Sequence, residues 1–123
     1  MIKKANAIRH NDEVNLKGGK GTLEIVNFLE KEESGGAGRL FAVSIIPPGC
    51  SIGTHRHDGD FEVYYMLKGK AHVVDNGIPG TLEPGDCMVC YDGDTHSIEN
   101  RGETPVEYIA LILNSRKEAV LKV

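Results

Sequence analysis

The sequence has no excess of positive charge. Lysine and arginine number 14 against 18 aspartates and glutamates, a formal net charge of −4. Nucleic acids and anionic membranes both call for a basic surface, so neither is expected as a partner. No apolar run approaches the ~20 residues of a membrane-spanning helix, and Met1–His10 contains no apolar signal core. The three cysteines are an odd number and make no disulfide framework. A reduced, cytoplasmic protein is the expectation. No internal repeat, low-complexity tract or linker divides the chain. Its 123 residues suffice for one domain, 1–123, with a core that needs no staples.

What the chain has in plenty is punctuation. Fifteen glycines and five prolines cut it into short segments. Pro47–Gly49, Asp75–Gly77, Glu83–Asp86, Tyr91–Asp94 and Asn100–Pro105 carry turn chemistry, and Ser34–Gly38 reads as a flexible turn. Asn76-Gly77 suits a tight hairpin and Pro84-Gly85 a type II turn. Between the turns lie runs rich in Val, Ile, Tyr and Phe: Leu40–Ile46, Phe61–Leu67, Ala71–Asp75, Asp86–Tyr91, Thr95–Glu99 and Val106–Leu113. Such runs predict strands, and their spacing an antiparallel sandwich or barrel. Thr22–Glu33 fits a helix and a strand equally, and Arg116–Val123 is open.

One stretch, "THRHDGDFE" (Thr54–Glu62), carries chemistry. Residues two apart on a strand share a face, so His55 and His57 project together. Glu62 has the wrong parity for a continuous strand. Asp58-Gly59-Asp60 must turn the chain, after which a new strand can aim Glu62 back at the histidines. Two imidazoles and a carboxylate on one face make a metal site plausible. His96, behind the loop Tyr91–Thr95, is the candidate fourth ligand. His10 and His72 have no such company and are taken as structural.

The spacing resembles the cupin family. Gly49, His55, His57, Glu62 and Gly69 stand at every fixed position of the first cupin motif. Gly85, Gly93, His96 and Asn100 stand at those of the second, with Tyr91 where that motif has proline. The resemblance implies an all-β fold, a cupin-type antiparallel β-barrel (jelly roll), with motifs at 49–69 and 85–100. It implies one divalent metal ion held by His55, His57, Glu62 and His96, with iron, manganese, nickel, cobalt, copper and zinc all compatible with those donors. Four protein ligands leave a coordination position for a small polar molecule. The activities implied are a dioxygenase, or a lyase, decarboxylase or isomerase using the metal as a Lewis acid; a non-catalytic binding or sensing module is the alternative. Small cupins commonly pair, so a homodimer is expected, and pairing would cover an edge strand.

Other candidates are weaker. Asp58 and Asp60 lie in the turn, and only Glu62 has the motif spacing. Tyr64 and Met66 share the parity of Glu62 and are candidates to line the same cavity. Cys87 and Cys90 form a C-x-x-C inside a predicted strand, where odd spacing sends the sulfurs to opposite faces; they are read as packing residues, as is Cys50. Gly18–Thr22 echoes a phosphate loop without its required pattern and reads as a flexible loop.

Overall fold

The computed structural model describes residues 1–116; of the open C-terminal stretch, 117–123 lie outside the described residues. Ten strands run in chain order: β1 (Arg9–Val14), β2 (Thr22–Leu29), β3 (Gly38–Ile46), β4 (Ser51–Arg56), β5 (Asp60–Lys68), β6 (Ala71–Asp75), β7 (Ile78–Leu82), β8 (Cys87–Cys90), β9 (Thr95–Glu99) and β10 (Val106–Asn114). They form a six-stranded sheet in the order β1-β2-β3-β10-β5-β8 and a four-stranded sheet in the order β4-β9-β6-β7. Every pairing is antiparallel. This is the expected jelly-roll barrel.

The alternation of side chains explains the arrangement. In β10, Val106, Tyr108, Ala110 and Ile112 are buried, while the residues between them face the other way. The core lies between the two sheets. Leu23, Ile46, Met66, Met88 and Val106 come from the large sheet, and Ile52, Ala71, Val73, Leu82 and Ile98 from the small one. Each large aliphatic side chain buried here stabilises the fold by roughly 1.5–3 kcal/mol.

The turn chemistry acts as anticipated. Asn76 and Gly77 both adopt positive φ, 49° and 86°, the geometry of the tight β6–β7 hairpin. The Asp86 N–H donates to the Glu83 carbonyl at 2.9 Å, with Gly85 at φ 93°, closing the type II turn.

Strand ends differ from the sequence reading by a residue or two. The ambiguous Thr22–Glu33 is strand through Leu29, because it pairs with both β1 and β3; a short 3-10 turn at Glu32–Ser34 follows. The Gly18–Thr22 loop does not stand free. The Lys20 N–H donates to Ser51 Oγ at 2.9 Å, and the Ser51 N–H to the Lys20 carbonyl at 2.8 Å. A Cβ on Gly19 would lie 2.3 Å from the Ser51 carbonyl oxygen, so the loop approaches β4 backbone to backbone.

Candidate metal centre

Two imidazoles come from the small sheet, a third from the turn that leaves it, and the carboxylate from the large sheet. β4 and β9 are neighbours, with His55 directly opposite His96. His57 follows immediately after β4. The chain then turns at Asp58-Gly59 and enters the facing sheet as β5, which carries Glu62 on its buried face. Two loops are stitched together to hold this corner. The His57 N–H donates to the Asp94 carbonyl at 3.1 Å and the Gly93 N–H to the His57 carbonyl at 2.7 Å. The Gly59 N–H reaches Asp92 Oδ1 at 3.0 Å, and the Arg56 guanidinium donates to the Gly93 carbonyl. The loop before His96 therefore positions His57 as well.

The four groups converge. His96 Nε2 lies 3.0 Å from His55 Nε2, 3.1 Å from His57 Nε2 and 3.1 Å from Glu62 Oε1. His57 Nε2 lies 3.1 Å from the same carboxylate oxygen. His57, Glu62 and His96 are buried. The donor set fits a divalent ion on two counts. The other ring nitrogens of His55 and His57 are committed: Nδ1 of His55 faces the Gly53 carbonyl at 2.8 Å, and Nδ1 of His57 faces Asp60 Oδ1 at 2.6 Å. An oxygen acceptor there keeps the proton on Nδ1 and turns the Nε2 lone pair inward. Lone pairs and a carboxylate packed this closely suit a cation among them, whether a proton or a metal ion. The spacing also suits one, since donors ~2.1 Å from an ion at right angles to each other lie about 3.0 Å apart. His55, His57, Glu62 and His96 could thus hold a single metal ion.

Without an ion, the two neighbouring histidines are pulled in opposite directions. Hydrogen bonding to Glu62 raises the His57 imidazole above its ordinary value; burial opposes this and Asp60 reinforces it. Burial lowers His55, only partly offset by the Gly53 carbonyl. Burial works to raise both carboxyls, but their hydrogen bonds win: His57 and His96 hold Glu62 below the usual range, and Arg39 and His57 hold Asp60 there.

Asp60 is the residue whose part the sequence did not reveal. It is a buried carboxylate at the start of β5, between Arg39 Nε (2.8 Å) and His57. The sequence offered it only as a rival to Glu62. Its sign was parity: two residues from Glu62 on the same strand, it faces the same way. Asp58 is exposed.

His55, His57 and Glu62 border an open cavity of about 310 Å³, with His96 behind them. Tyr64 lies on its wall, stacked against His96 with ring centroids 5.1 Å apart. Met66, one inward step further along β5, sits in the apolar core instead. Arg9, Lys17, Arg39 and Arg56 contribute positive charge to the lining, against Glu13 and Glu62.

The remaining candidates lie elsewhere. His10 is exposed on β1, 3.6 Å from Glu24, and His72 lies on β6 opposite Thr81 and Glu99. Cys87 is exposed and Cys90 buried, on opposite faces as the spacing required. Tyr91 is exposed. Asn100 is a clamp: its Nδ2 donates to the Ile46 and Thr104 carbonyls, both at 2.8 Å, and its carbonyl accepts from the Gly49 N–H at 2.9 Å. The last residue of the second motif thereby fastens the first residue of the first.

Comparison with known proteins agrees with this architecture. A family model of the cupin domain matches residues 42–112. A Thermotoga maritima protein named oxalate-binding protein is 40% identical over 113 residues, covering 92% of this chain and 93% of its own. The crystal structure of a "predicted oxalate decarboxylase" from Thermotoga maritima superposes with a TM-score of 0.87 at 39% identity, covering 94% of this chain and all of that one. A sugar phosphate isomerase of the cupin superfamily from Silicibacter pomeroyi shares the fold at 18% identity, with a TM-score of 0.68 over 91% of this chain and 74% of that one.

Proposed function

This chain belongs to the cupin domain family, and from that premise we propose that it holds a divalent metal through His55, His57, Glu62 and His96 and takes a small carboxylic-acid anion beside it. The observation that carries the reading is the convergence of three Nε2 atoms and one carboxylate oxygen at the wall of an open cavity. The bound metal would supply Lewis acidity and a point of attachment for a ligand oxygen. The name of the Thermotoga maritima oxalate-binding protein favours an acid as the ligand. The test is elemental analysis of untagged protein, followed by calorimetry of metal-loaded protein with oxalate, formate and a neutral sugar. Stoichiometric metal and a preference for the acids are expected. Absence of stoichiometric metal, or tighter binding of the sugar, would sink the reading.

A second reading is catalysis at the same metal, as a lyase or decarboxylase or as a dioxygenase. The likeness to the "predicted oxalate decarboxylase" favours the first of these. Carbon dioxide release from oxalate without oxygen uptake would support it. Binding with no turnover would leave a binding module.

The proposal extends to one cupin domain over 1–123, acting as a homodimer in a reducing, cytoplasmic compartment. The three free thiols support the compartment. The outer face of the large sheet supports the dimer. Phe41, Tyr65 and Leu67 are exposed there, Val43, Val63, Ile109 and Leu111 are half-buried between them, and Phe28 packs edge-on to Phe41 at 5.3 Å. Across β2, β3, β10 and β5 this face is on the order of 600 Å² as a plane. Side-chain relief brings it toward the ~800 Å² per partner of a stable interface. A second copy, presenting the same flat apolar face, is the occupant. Sedimentation equilibrium should give a dimer that Tyr65→Glu dissociates; a monomeric parent at micromolar concentration would remove it.

A further inference from the structure

The cavity extends past the metal donors toward a group that the metal reading leaves unused. Tyr108 is fully buried and borders the cavity with Ser44, Tyr64 and Glu62. Its hydroxyl lies beside Ser44 and Tyr64, but among the described residues no well-formed hydrogen bond satisfies it. A buried hydroxyl without a partner is costly, and native structures rarely keep one without a use.

The register of the large sheet sets its level relative to the donors. Ile112, Glu62 and Leu40 form one inward-facing level; Tyr108, Met66 and Ser44 form another. The level between them is Ala110, Tyr64 and Ala42. Small side chains flank Tyr64 there, and the Tyr108 ring packs against the Tyr64 ring with centroids 4.5 Å apart. Burial, and the charge of Glu62, raise the phenol above its ordinary value, so it remains a hydrogen-bond donor.

We propose that the Tyr108 hydroxyl is the second anchor of the ligand, donating a hydrogen bond to the far oxygen of a small two-ended acid whose near carboxylate lies at the metal donors. The ligand class is accordingly a dicarboxylate or a 2-oxo acid, with an acceptor at each end. The proposal rests on the metal-and-acid reading above and adds the selection by length and by far-end chemistry.

The test uses the full chain loaded with manganese, with oxalate as the two-ended probe and formate as the one-ended probe. Tyr108→Phe removes one oxygen and keeps the packing. The parent should bind oxalate more tightly than formate. In Tyr108→Phe, oxalate should weaken by about 10–100-fold, the range for a hydrogen bond to a charged group. Formate affinity, manganese affinity and Tm should stay within about twofold or a few degrees. Unchanged oxalate affinity in the variant, or equal affinity of the parent for both acids, overturns the second anchor and leaves the metal reading standing. Loss of manganese affinity together with oxalate assigns the hydroxyl to the metal site instead and overturns it too. A manganese-loaded parent that binds neither acid overturns the acid reading itself, and this proposal with it.

Discussion

The barrel interior has two ends, and single strands pass from one to the other. On β9, His96 belongs to the candidate metal centre and Ile98, two residues on, to the apolar core. On β3 the pair is Ser44 and Ile46; on β10 and β5, Tyr108 and Tyr64 belong to the same core cluster as Val106 and Met66 while also bordering the cavity. All face inward. At the polar end, burial is unfavourable for each group until a partner compensates, and Asp60, Glu62 and His57 compensate one another. At the apolar end, burial needs no partner and is itself the driving force. The fold is therefore carried by one end and the site by the other, unlike a zinc finger, in which metal binding is folding.

The sharpest way to break this comparison is to remove a donor. His96→Ala or Glu62→Gln should weaken metal binding by about 100-fold or more, beyond the ~10–100-fold typical of a supporting group, while the metal-free barrel still unfolds cooperatively. Calorimetric titration and thermal melts check both halves. His10→Ala and His72→Ala should bind as the parent does; loss of metal in His72→Ala but not in His96→Ala would force the site to be redrawn. The converse substitution is Ile98→Ala, in the apolar end. It should cost about 2–5 kcal/mol of stability, measured by denaturant unfolding, with metal stoichiometry retained in the folded protein. Asp60→Asn lies between the two. It should lower metal affinity by about 10–100-fold by loosening the orientation of His57, with little effect on the melt of the apolar end.

A smaller effect is expected with pH. His57 in the folded, metal-free chain is raised above its unfolded value of ~6.5. Its contribution to metal-free stability is therefore fully present below that value and is lost as pH rises through the raised one. Protons and metal compete for the same Nε2, so the increase in Tm on adding manganese should grow as pH rises through that window. A metal-induced shift independent of pH would show that His57 is not a ligand. The smallest effect is at the thiols. Cys87, exposed, should alkylate readily at pH 8, whereas Cys90, which burial pushes up to about 12, should not. Cys87→Ser should leave both metal and melt unchanged.

How far the sequence disclosed this depended on distance along the chain. Ala71–Asp75 and Thr95–Glu99 are legible to the residue, because alternation and flanking turns are local signals. The four side chains that converge are legible because their spacing is fixed by one turn and one strand start. β1 was not anticipated: "RHNDEV" is mostly polar, and only its pairing with β2 makes it a strand. β7 contains Pro79 and Gly80, which weaken a strand signal and are tolerated because it is an edge. Thr22–Leu29 was undecidable since a short apolar run fits either period, and the neighbouring strands decide. Tyr108 owes its place to the register of β10 with β3 and β5, which no single stretch encodes.

The order of the large sheet has a consequence for how the molecule comes into being. β10 is the last of the described strands to be synthesised, yet it lies in the middle of the sheet, between β3 and β5. Until residues 106–114 leave the ribosome, β3 and β5 each present an unpaired edge, and β5 carries Glu62. A nascent chain therefore holds its three histidines and its carboxylate before it has the strand that fixes their sheets against each other. The interval before β10 is in place is when the chain is most open to pairing with the wrong neighbour.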